Sequence, residues 1–93
     1  MALEDGDAAA AERLLDEALR LGHPHPERVA GFHLWRGRAR DVQGKRDAAR
    51  GDYRAVLGRQ ADAAAREQAL KSLKRPYHKV RMSVDFVLGD VTA

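Results

Sequence analysis

Apolar residues recur along most of this chain at intervals of three and four, the spacing of one helix face. Ala11, Leu14, Leu15, Ala18 and Leu19 form the first such stripe, which predicts a helix from about Asp7, its expected N-cap, to Leu21. Gly22 and the run His23-Pro24-His25-Pro26 end it. Pro26 suits the first turn of a second helix, whose stripe reads Val29, Phe32, Trp35, Ala39 and Val42 up to Gly44. A third helix is predicted from near Asp47, carrying Ala49, Tyr53, Val56 and Leu57 before Gly58. A fourth, capped by Asp62, carries Ala65, Ala69, Leu70 and Leu73 and stops before Pro76.

The period then changes to two. Val80, Met82, Val84, Phe86 and Leu88 alternate with Arg81, Ser83, Asp85 and Val87, the pattern of a strand. No other segment alternates in this way, so the strand is expected to pack across the last helices or to pair with another chain or domain. The expected architecture is all-α, about four helices in antiparallel hairpins over residues 1–76, with an extended or strand-like tail over 77–93.

The helices repeat. Ala11, Leu15, Ala18 and Leu19 lie 5, 9, 12 and 13 residues after Gly6, and Ala49, Tyr53, Val56 and Leu57 lie at the same offsets from Gly44. A period of 38 residues is that of stacked helical hairpins. Leu34-Trp35-Arg36-Gly37-Arg38-Ala39, then Gly44, Ala49, Tyr53 and Leu57, resemble the tetratricopeptide repeat. One full unit would span about residues 30–61, with half units on either side. The resemblance implies that Gly37 marks a close helix approach, with Ala49 and Tyr53 packed between helices. It also implies a non-catalytic protein-interaction or scaffold segment of a larger protein. A partner groove would be lined by first helices, with Leu34, Arg38 and Asp41 on that side. Two positions depart from the pattern: Arg36 stands where the family has Leu, and Arg40 where it has an aromatic.

Composition narrows the chemistry. The 93 residues contain no cysteine, so disulfides and thiol catalysis are excluded. Only five are aromatic, so the core must be Leu, Val and Ala, with Trp35 and Tyr53 expected buried side by side. No nucleophile turn, phosphate loop or dinucleotide fingerprint is present, and the chain is expected to be neither an enzyme nor a cofactor binder. His23, His25 and Glu27 are ligand types, but alternate residues in a proline-broken loop point apart, and no metal site is expected. The chain shows no signal peptide and no apolar run long enough for a membrane span, which suits a cytoplasmic protein.

Charge is segregated. Residues 1–27 carry seven acids against Arg13 and Arg20, whereas residues 28–81 carry fifteen bases against five acids. Arg46, Arg50 and Arg54, four apart, form a candidate anion-binding ridge. A protein or peptide partner, plausibly acidic, is the first expectation. A basic nucleic-acid module using that ridge is the second, and an accessory segment of an enzyme whose active site lies elsewhere is the third.

Overall fold

The computed structural model describes residues 5–77, which form four helices: α1 (Asp5–Leu21), α2 (Pro26–Val42), α3 (Arg46–Leu57) and α4 (Ala63–Lys74). Among the described residues there is no strand. The strand expected over residues 80–88 lies outside them.

The breakers act as their chemistry requires. Gly22 and Gly44 adopt φ of +78° and +79°, the left-handed conformation that ends α1 and α2 and that glycine adopts without strain. Pro26 opens α2 in the first turn. Asp62 caps α4, its Oδ1 accepting from the Ala65 N–H at 2.8 Å. Two starts differ from expectation. α1 begins at Asp5, so Asp7 lies inside its first turn, where a carboxylate still favours the helix dipole. α3 begins at Arg46, with no side-chain cap from Lys45.

Helix α2 is the centre of the molecule. It packs against α1, α3 and α4, whereas α1, among the described helices, packs against α2 alone. That corrects the single-stripe reading of α2. Its buried residues are Ala30, Phe32, Leu34, Gly37, Arg38, Ala39 and Asp41, on more than one face, while Val29, Trp35 and Val42 are only partly buried.

Two apolar clusters result. Ala11, Leu15 and Ala18 of α1 meet Phe32 and Ala39 of α2, with Leu19 and Trp35 at the margin. Ala30 and Leu34 of α2 meet Ala49, Tyr53 and Val56 of α3 and Ala69 of α4. Trp35 and Tyr53 therefore belong to different clusters, contrary to the side-by-side expectation. The repeated offsets carry matching burial: Ala11 and Leu15 are fully buried in α1, as Ala49 and Tyr53 are in α3. Leu19 and Leu57, at the last equivalent position, are both marginal.

Gly37 fixes the approach of α2 and α3. A Cβ at this position would lie 2.5 Å from Tyr53 Cε1 and 2.9 Å from its Cδ1. The tyrosine ring lies flush on bare backbone there, and no other residue type leaves that space.

Candidate interaction cleft

The open cleft begins where Pro26 starts α2. Arg28, Gly31 and Trp35 follow at helical spacing on one face, with Phe32 beside them. Asp62, the cap of α4, completes the lining with His25 and Glu27. The cleft has a volume of about 410 Å³. Gly31 leaves its floor open, since a Cβ there would meet nothing within 4 Å.

Trp35 is held from below. The Arg38 guanidinium stacks 4.8 Å from the Trp35 ring and 4.8 Å from that of Tyr77, and its Nη2 donates to Gln68. Its Nε is buried without a hydrogen-bond partner among the described residues, so Arg38 is fixed by aromatic faces as much as by polar contacts.

The three residues expected to line a groove are not at the open surface. Leu34 is 7% exposed in the α2–α3–α4 cluster, and Arg38 is 8% exposed. Asp41 is a buried hub. Its carboxylate accepts from the Tyr53 hydroxyl at 2.6 Å, from Arg46 Nη1 at 3.0 Å and from the Tyr77 N–H at 2.9 Å. Burial and that contact push the Tyr53 hydroxyl far above its ordinary pKa, so it stays protonated and donates.

The arginine ridge is divided by its surroundings. Arg46 is committed to Asp41 and to the Leu73 carbonyl at 2.9 Å. Arg50 is partly buried, and its Nε has no hydrogen-bond partner among the described residues. Arg54 is exposed.

A second buried carboxylate escaped the sequence reading. Asp52, 2% exposed, faces His33 Nδ1 at 2.9 Å, Arg36 Nη2 at 2.8 Å and Arg40 Nη1 at 2.8 Å. Burial alone would raise its pKa, but the hydrogen bonds from His33 and Arg36 and the charges of Arg36 and Arg40 hold it below the ordinary value. The same two arginines reach α1: Arg36 donates to Asp16 at 2.9 Å, and Arg40 to Glu12 at 2.8 Å. Lys45 and Gln43 also donate to Glu12, each at 2.9 Å. Burial opposes ionisation of Glu12, yet the Arg40, Lys45 and Gln43 hydrogen bonds outweigh it and hold the carboxyl at about 2. The acidic first segment thus finds its basic counterpart within the chain. A signal was present in the sequence: Arg36 and Arg40, like charges four apart, are two of the departures from the repeat pattern.

The histidine loop is more bent than expected. The His25 N–H donates to His23 Nδ1 at 3.1 Å, and the two rings lie 5.4 Å apart. Among the described residues, no group of three or more metal-ligating side chains comes together, and no helix is long and apolar enough to cross a membrane. A second cleft, of about 490 Å³, lies at the end of α4 between Gln68, Ser72 and Tyr77, with Lys71, Lys74 and Arg75 on its rim.

Comparison with known proteins gives no match: no family model, no curated protein and no solved structure is similar to this chain.

Proposed function

We propose that this chain is a helical-repeat segment of tetratricopeptide type and acts as a non-catalytic protein-interaction module. The observation that carries this reading is the open cleft over Arg28, Gly31 and Trp35, on the first helix of the proposed unit. It is lined by aromatic rings, a bare glycine and charged side chains, the make-up of a surface that receives a peptide side chain. Partner recognition then falls to Arg28, Gly31 and Trp35, with the buried Arg38 positioning the tryptophan.

The repeat assignment has its own support. The Gly37–Tyr53 approach, the matched burial at the repeated offsets and the order of side-chain pairings all suit stacked hairpins. Along α1 the pairings rise from Glu12 to Asp16 as their α2 partners fall from Arg40 to Arg36, the sense of an antiparallel pair. Along α2 they rise from Arg38 to Asp41 as those beyond α3 rise from Gln68 to Tyr77, the sense of equivalent helices in successive units.

Gly31→Gln tests the cleft. The added side chain would occupy the cleft, since a Cβ at Gly31 meets no described atom within 4 Å, and replacing a helical glycine should leave the fold slightly more stable, by about 0.5–1 kcal/mol. Peptides selected against the intact chain from a random display library should lose at least about tenfold in affinity for this variant. Undiminished binding to a stably folded Gly31→Gln protein would place the interaction elsewhere.

A further inference from the structure

Helix α1 is attached differently from the rest. Among the described helices it packs against α2 alone, and among its fully buried side chains Leu15 is the largest, accompanied by alanines. Glu12 and Asp16 anchor it to Arg36, Arg40 and Lys45. Beneath it lies a preformed seat, with Phe32 and Ala39 as the apolar floor and the two arginines already fixed from below by Asp52. The link to α2 is a short hinge, residues 22–25. Its reversal depends on Gly22 at φ +78°, whereas His23 and His25 each precede proline and are biased towards extended backbone. His25 already adopts φ −101°, ψ 116°.

We propose that the α1 seat on α2 accepts α1 from a second copy of this chain, so that two copies exchange their first helices through an opened hinge. The seat's chemistry specifies its occupant: a helix with alanines and one leucine at three- and four-residue spacing, and carboxylates directly after one alanine and after the leucine. Among candidates visible in the sequence, α1 of another copy meets that description fully. Exchange keeps every Glu12, Asp16 and Leu15 contact while removing the turn at Gly22, and a helix joined to its one neighbour by a short hinge exchanges at low cost. The inference does not depend on the peptide cleft, although the two share Phe32 and the hinge residue His25.

The test begins with Gly22→Ala in the full chain. No atom lies within 4 Å of the added methyl, so the variant strains only the closed turn, and the opened hinge relieves that strain. Sedimentation velocity across a concentration series should show the dimer constant raised at least about fivefold over the unaltered chain. Deleting His23 and Pro24, which leaves too short a link for the closed form, should give dimer alone. Mixing ¹³C-labelled and unlabelled copies of the dimer, isotope-filtered NMR should then show Leu15–Phe32 contacts between copies. A Gly22→Ala chain that melts lower yet stays monomeric would overturn the proposal. So would a deletion variant that is monomeric or unfolded, or a dimer without inter-copy Leu15–Phe32 contacts.

Discussion

The two sides of α2 are built from different materials. On the α1 side, a thin apolar cluster of alanines with Leu15 and Phe32 is bordered by ion pairs to Arg36, Arg40 and Lys45. On the α3–α4 side, Leu34, Tyr53 and Val56 fill the interface, and the Asp41 carboxylate closes it with three donors. Burial of a large side chain contributes about 1.5–3 kcal/mol, whereas a burial limited to alanine methyls contributes far less. Ion pairs near a surface add about 0–1 kcal/mol each and weaken with salt. The comparison therefore makes α2–α3–α4 the stable body and α1 the more weakly held helix, with a larger share of its attachment carried by charge.

Asp52 is where the comparison breaks most severely, because it supports Arg36 and Arg40 from beneath both interfaces. Asp52→Ala leaves two part-buried guanidinium groups and His33 without their shared partner. The expected loss is about 3–5 kcal/mol, enough to unfold a domain of this size. A cooperative melt near that of the unaltered chain would show that the network is dispensable.

Gly37 sharpens the α2–α3 side. Gly37→Ala drives a methyl into the fully buried Tyr53 ring and should destabilise by about 1–3 kcal/mol, despite alanine's better helix propensity. Gly31→Ala, six residues earlier in the same helix, meets nothing and should stabilise by about 0.5–1 kcal/mol. Thermal melts of the pair decide the matter, and equal shifts would contradict the packing.

Acid probes the α1 side. Glu12 titrates near 2 in the folded chain against an ordinary 4.5, and Asp52 is likewise depressed. The unfolded chain binds more protons between those values. Their stabilisation is thus complete above about pH 5 and is lost as pH falls from about 4.5 towards 2. Melting temperatures measured down that range should fall, and Glu12→Gln should flatten part of the fall. An unchanged slope in Glu12→Gln would remove Glu12 from the account.

The helices were legible in the sequence because their signals are local. Gly22, Gly44, Pro26 and Asp62 each act on adjacent backbone, and each does so where spacing placed it. The Gly37–Tyr53 approach was legible through the repeat. The carboxylate hubs were not, because Asp52 collects partners 12 to 19 residues distant, and period alone does not say which charges a fold will bury together. Trp35 was misplaced for a related reason. Its stripe marks one face of α2, but a helix with three neighbours buries more than one face, and the tryptophan falls at the edge of the open cleft. Leu34, Arg38 and Asp41 were assigned to a groove by resemblance, and α4 with Tyr77 lies over them.

The central claim is that α1 is the weakly held element, and residue-resolved native-state hydrogen exchange tests it most directly. Measured at low salt and again near 1 M salt, the buried amides of α1 around Ala11 and Leu15 should exchange through a partial opening. That opening should cost less than the one exposing α3 around Tyr53, and the gap should widen as salt screens the Glu12 and Asp16 pairs. Equal opening free energies in α1 and α3, unchanged by salt, would make the four helices one cooperative unit and contradict the account.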